Sequence, residues 1–305
     1  MKKLAYLLTL WLASTMSMAE VPLVVTKITD NVYALVGETN QRSEYNYANN
    51  STHGVIITDE GVILVDPGGS YLGAKQIHNA IKTLTDKPVK LVINTGGQDH
   101  RWFGNDYFSQ LGAEIIASSA AQADQRARED EHIIRLTGLI GDALEGTTPL
   151  PATNTFDQEK KTISLGGVDL ELYYAGPAHT LGDIFIWLPE QKILFSGDIV
   201  FVNRALGVGP ARNIRSWIAV FEKMAGFNPK VIVPGHGKVT DLTEASNDTY
   251  HYLVHLRDSV LKVIDDGGDM MEATNIDQEQ FRYLKNFDDI AKRNAQWTFE
   301  ILEFE

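Results

Sequence analysis

The sequence predicts an α/β protein built as a four-layer αββα sandwich, two mixed sheets packed face to face with helices on their outer sides. Three observations lead there. Strand-like apolar runs alternate with segments of helical spacing in both halves of the chain. The second half repeats the scheme of the first, opening on paired strands. The 305 residues, 44% hydrophobic and 22% charged, suffice for one large core, and no Pro/Gly/Ser-rich linker divides them.

Met1-Lys2-Lys3 places two positive charges ahead of an apolar run, Leu4 to Ala13, too short to span a bilayer, and Ser17-Met18-Ala19 follows with small residues. Residues 1–19 therefore read as a secretory signal peptide. Residues 20–305 are expected to form a single domain, periplasmic or secreted, with no membrane span after cleavage. Val32 to Leu35, Gly54 to Thr58 and Gly61 to Asp66 read as antiparallel strands, the last two joined by a turn at Asp59-Glu60-Gly61. Ala74, Ile77, Ala80, Ile81 and Leu84 mark a helix over Tyr71 to Leu84, and Val89 to Ile93 a buried strand. A strand from Ala113 to Ala117 precedes one long helical stretch from Ala120 towards Leu139.

In the second half, Thr162 to Leu165 and Val168 to Tyr174 pair around Gly166-Gly167, and strands follow at Asp183 to Leu188 and Lys192 to Phe195. Trp217, Val220, Phe221 and Met224 share one face of a helix that leads into the strand Val231-Ile232-Val233. Leu242 to Glu305 is mostly helical and amphipathic.

Composition limits the chemistry. With 27 basic residues against 40 acidic ones the net charge is −13, so the basic footprint that a nucleic-acid partner requires is missing and a small-molecule substrate is expected. Cysteine is absent, which removes thiolate nucleophiles, thiolate ligands and disulfides together. Histidine, carboxylates and water are left. Three segments place His or Asp beside small residues at strand ends: Gly176-Pro177-Ala178-His179-Thr180, Ser196-Gly197-Asp198 and Pro234-Gly235-His236-Gly237. Each histidine alone is more often a satisfied core residue, but the three segments together point to a divalent ion such as zinc.

These segments, with Gly61-Val62-Ile63-Leu64-Val65-Asp66, resemble the metallo-β-lactamase superfamily over nearly the whole mature chain. The likeness is greater to its exported branch of methyl-parathion-hydrolase-like and quinoprotein-associated zinc hydrolases than to the lactamases proper. The resemblance implies that His179 matches a first-metal ligand, Asp198 the bridging ligand, His236 a second-metal ligand and Asp66 a structural carboxylate.

The chain departs from the family where the motif His-x-His-x-Asp-His belongs, reading Asn94-Thr95-Gly96-Gly97-Gln98-Asp99-His100-Arg101-Trp102-Phe103-Gly104-Asn105. In the ungapped register the motif positions become Gly96, Gln98, His100 and Arg101. In a register gapped by one residue they fall on Thr95, Gly97, Asp99 and His100, and Asp99 joins the ligands. The ungapped register is favoured, because a one-residue slip at a strand end re-aims every following side chain.

Either register breaks the first metal site and leaves His100, Asp198 and His236 to hold one Zn ion more readily than two, with His179 nearby. Asp99 or Asp198 is expected as the carboxylate that takes a proton from water, and Arg101 and His53 as residues that contact substrate. Tyr45 and Tyr47 are candidates for an aromatic wall, and Arg204 and Arg212 flank a turn near the site, ion pairing being their default role. His78, His132, His251 and His255 are assigned no function. Two readings stay open: a metal-dependent hydrolase of an ester, lactam, lactone, thioester or phosphotriester bond, and a non-catalytic protein of the same fold that binds a ligand or partner.

Overall fold

A computed structural model describes residues 20–209 and 213–304; the expected signal peptide and Arg212 lie outside the described residues. The first sheet comprises β1 (Val24–Lys27), β2 (Val32–Val36), β3 (Thr52–Ile57), β4 (Val62–Val65), β5 (Val89–Ile93), β6 (Glu114–Ser118) and β7 (Asn154–Phe156), side by side in chain order. It is antiparallel from β1 to β4 and parallel from β4 to β7. The change of direction has a covalent cause. Short turns join β1 to β2 and β3 to β4 and a longer loop, residues 37–51, joins β2 to β3, whereas helix α1 (Tyr71–Lys82) carries the chain from β4 back to the start of β5.

The second sheet, in the order β12-β11-β10-β9-β8, holds β8 (Lys160–Leu165), β9 (Val168–Tyr174), β10 (Ile184–Leu188), β11 (Ile193–Phe201) and β12 (Val231–His236). Only its β11–β12 pair is parallel, joined through α5 (Ile214–Ala225). Alternation along the strands divides the core. Ile63 and Val65 of β4 point between the sheets, where they join Leu170, Leu172, Ile184, Ile186 and Phe195. Val62 and Leu64 point outward against Ala74, Ile77 and Ile81 of α1. On the far side, α5, α7 (His251–Asp265) and α9 (Phe287–Leu302) cover the second sheet around Trp217, Tyr252 and Phe299. The four predicted layers are present.

Local chemistry fixes the element ends. Ser70 caps α1 by accepting from the Gly73 amide, and Asn213 caps α5 through the Ser216 amide. The single helix expected from Ala120 to Leu139 is two, α3 (Ser119–Ala127) and α4 (Glu129–Ile140), parted at Arg128. The long C-terminal segment does not stand apart. Ala205 donates to the Lys285 carbonyl and Lys285 to that of Asn203, which ties α9 to the loop after β11. Among the described residues no helix is long and apolar enough to cross a membrane.

Candidate active site

Strand β5 ends at Ile93, and its continuation turns into the short 3-10 helix Asp99–Arg101. His100 and Arg101 thereby both reach Asp198, the two residues that the ungapped register sets at the last two motif positions. Asp198 was expected in a turn after its strand; instead β11 continues to Phe201, with register shifts on either side of Gly197. Gly197 has φ +49° with the Thr95 side chain where a Cβ would sit, so only glycine allows the bulge that aims Asp198 inward.

His100, Asp198 and His236 are buried and bring one ligand atom each within 4.8 Å of one another. His100 Nε2 lies 3.1 Å from Asp198 Oδ2, and His236 Nε2 3.2 Å from Asp198 Oδ1. The far side of each ring is held. His236 Nδ1 donates to the Asn50 carbonyl at 2.7 Å, and His100 Nδ1 is 3.0 Å from Asp99 Oδ1. A carbonyl can only accept, so His236 carries a proton on Nδ1, and in the neutral ring its Nε2 turns a lone pair towards a carboxylate oxygen. Burial holds that imidazole well below its usual range against the pull of Asp198. Two imidazoles and a carboxylate with their lone pairs converging fit one divalent cation of the zinc type.

Asp99 does not join this set. Its carboxylate accepts from Arg42, from Arg135 at 2.9 Å and from the His100 amide at 2.8 Å. Although burial pushes its pKa up, the Arg42 charge and the His100 bond prevail and hold it well below the usual carboxylate range. It is a positioning group for His100 rather than a ready proton acceptor. Burial acts the same way on Asp198, and Arg101 and His100 overcome it.

Arg101 is fully buried, and its five N–H groups meet five protein acceptors. Nε and Nη2 grip Asp198 at 3.1 and 2.6 Å, Nη1 reaches Asp66 at 2.8 Å and the Thr52 carbonyl at 3.3 Å, and Nη2 also reaches the Gly235 carbonyl at 2.8 Å. None is left for a substrate, so the substrate contact expected of Arg101 gives way to an internal ion-pair hub. His53 is likewise turned inward. Its Nδ1 bonds the Asp66 carbonyl at 2.9 Å, and burial pushes its pKa down to about 3, which places it behind the site rather than in the cavity.

A cavity of about 420 Å³ opens over the cluster. His179 lines it with its ring near Phe201 and Trp217, 5.3 and 5.4 Å between centroids, outside the three-residue cluster. Arg204 also lines it, as do Arg42, Arg128 and Arg135 and, from α9, Arg293 and Trp297. Apart from Arg204, these arginines and the α9 wall were not foreseen. No local motif marks them, because they converge from segments up to 255 residues apart, Arg42 to Trp297.

The sequence model of the metallo-beta-lactamase superfamily matches residues 48–236, which includes all three cluster residues. The chain belongs to the metallo-beta-lactamase superfamily. It is 26% identical to "Metallo-beta-lactamase type 2" of Elizabethkingia meningoseptica, over 80% of this chain and 92% of that one. It is 31% identical to "2,4-dinitroanisole O-demethylase subunit alpha" of Nocardioides sp. (strain JS1661) over 58% of this chain, and spans about half the length of that relative (50%). A solved metallo-beta-lactamase from Pontibacter korlensis superposes with a TM-score of 0.61 at 26% identity, covering 76% of this chain and 99% of that one. At 15% identity, a sec-alkylsulfatase from Pseudomonas sp. shares the fold, with a TM-score of 0.69 over 93% of this chain and 51% of that one.

At the positions that the two registers give to the first-metal imidazoles, Gly96, Gly97 and Gln98 are packed against other protein groups. A Cβ on Gly96 would overlap the Asp183 carboxylate, and one on Gly97 the Asp124 carboxylate. Gln98 accepts from Arg128 at 3.3 Å. Gly96→His is therefore expected to bind no additional metal and to lose about 1–3 kcal/mol through overpacking. Urea unfolding and metal analysis check both parts.

Asp183 offers a second test. Burial, with a contribution from the Asp198 charge, pushes its carboxyl up to about 7 while Thr180 donates to it from backbone and hydroxyl. An acid whose folded pKa lies above its unfolded value of about 3.9 favours folding at low pH, and that stability is lost as pH rises from about 4 to 7. The urea midpoint of Asp183→Asn should gain on that of the parent across this range. A gap independent of pH would show that Asp183 is ionised throughout.

Proposed function

We propose that this protein is an exported, metal-dependent hydrolase holding a single zinc-type ion at His100, Asp198 and His236. The observation that carries the reading is the His236 ring, held at Nδ1 by the Asn50 carbonyl, with Nε2 facing Asp198 Oδ1 at 3.2 Å beside His100. A neutral ring and a carboxylate at that distance repel unless a cation joins them, and burial disfavours the second ring proton that would otherwise do so. Superfamily membership and the cavity over the cluster agree with hydrolysis of a small molecule. The bond cleaved is an ester, lactam, lactone, thioester or phosphotriester.

An ion bound there would polarise the scissile carbonyl or phosphoryl group and acidify a water molecule. The chain's own groups prepare the site. Asp99 holds His100 and the Asn50 carbonyl holds His236, so both rings are oriented before any ion arrives. Arg101 locks the Asp198 carboxylate in position, while each oxygen keeps lone-pair capacity for a ligand bond. Phe201 stacks on His236 at 4.5 Å and walls the cluster with apolar surface.

Protein purified without chelator should contain about one zinc-type ion per chain and should melt at a higher temperature after Zn²⁺ is added to stripped protein. No bound metal together with no stabilisation by Zn²⁺ or Mn²⁺ would leave the non-catalytic binding reading in its place.

A further inference from the structure

We propose that the mouth of the cavity is an oxyanion site in which Arg204, supported by Arg42 and Arg135, holds an anionic group of the substrate beside the His100, Asp198 and His236 cluster. Only the word substrate rests on the hydrolase reading; the binding of an anion does not. In a chain of net charge −13, the described residues that line the cavity include five arginines and one carboxylate, that of Glu131. Some of these charges are already answered. Arg128 pairs with Asp124, and Arg293 lies over the Trp297 ring. Arg42 and Arg135 must share the single carboxylate of Asp99, which His100 also uses.

Arg204 has no such answer. It is only 8% exposed, its Nη1 donates to the Asn40 carbonyl at 3.1 Å, and its buried Nε meets no acceptor. No carboxylate lies within 4.0 Å of it among the described residues, so the ion pairing expected by default is absent. Burial, reinforced by the Arg42 charge, pushes its pKa down to about 10, which still leaves it cationic at neutral pH. A buried, unbalanced guanidinium is costly to the fold, and a ligand bearing the opposite charge offsets that cost. Its planar fork suits two oxygens of one group, as carboxylates, phosphates and sulfates present them. The backbone bridge between Arg204 and Lys285 holds this residue at the junction of the β11 loop and the C-terminal helices.

The test uses full-length protein stripped of metal, so that an anion cannot bind through an ion. Inorganic phosphate and acetate are titrated calorimetrically and by thermal shift against sodium chloride of equal ionic strength. The parent should bind phosphate saturably. Acetate binding as tight as phosphate binding would identify a carboxylate site, and weaker acetate binding a site for a doubly charged oxyanion. Arg204→Met should weaken binding at least about tenfold, the worth of one charge-assisted hydrogen bond. Without oxyanion, the same variant should unfold at an equal or higher urea concentration than the parent, because it deletes an unbalanced charge. Arg204→Gln, which keeps polar donors, repeats the binding measurement should the Met variant fail to fold. Phosphate binding no better than chloride, or unchanged in both variants, overturns the proposal. Metal binding without phosphate binding refutes this site and spares the hydrolase reading; phosphate binding through Arg204 without metal binding does the reverse.

Discussion

Arg101→Met should destabilise the protein by about 3–5 kcal/mol, seen as a lower urea midpoint with an unchanged slope. The substitution preserves volume and apolar packing, but it leaves Asp66 and Asp198 facing each other as buried carboxylates without their shared cation. Uncompensated buried charge, not lost contact area, is the source of the effect. Arg101→Lys should rescue little of it. An ammonium has three donors where five acceptors wait, and it cannot grip Asp198 with two parallel bonds while also reaching Asp66. A loss below about 1 kcal/mol, within the range of exposed ion pairs, would show that Arg101 is not the hub described. The result matters for chemistry because the same guanidinium orients the carboxylate that the proposed ion would use.

His100→Ala should take the metal content from about one ion per chain to nearly none. Hydrolysis of any ester, lactone, lactam or phosphotriester the parent accepts should fall by more than the roughly 10–100-fold typical of losing a partner outside the ligand set. Asp99→Asn should fall within that smaller range, since Asp99 touches the ring of His100 and not the cluster itself. Gln98→Ala should change neither reading much, although the ungapped register gives it a motif position, because its oxygen is engaged with Arg128. Loss of metal from Gln98→Ala and His100→Ala alike would move the binding site away from the cluster.

Much of this architecture was legible in the residues themselves. Two-residue alternation in Val62 to Val65 and the 3.6-residue period in α1 depend only on which side chains avoid water, and every predicted strand has a counterpart in the two sheets. The short strands β1 and β7 and the break at Arg128 were not legible. β1 buries no face that would mark it, whereas β7 depends on β6 across two intervening α-helices and Arg128 on Gln98 as well as on Asp124 one helical turn back. The convergence of His100, Asp198 and His236 followed from motif resemblance, and the structure brings the three together.

What the sequence determined alone was composition and pattern: a fold with two buried sheets, chemistry without thiolates, and, through the resemblance, a first-metal motif without its two early imidazoles in either register. What only the tertiary structure decided was the direction of each charge. Asp99 and Arg101 are neighbours in the chain, yet one turns to Arg42 and Arg135 and the other to Asp66 and Asp198. Arg204 carries the same formal charge as Arg101, yet it is left without a carboxylate. Electrostatic energy in a buried site depends on distances of a few ångströms between groups remote in sequence, and chain order does not encode those distances.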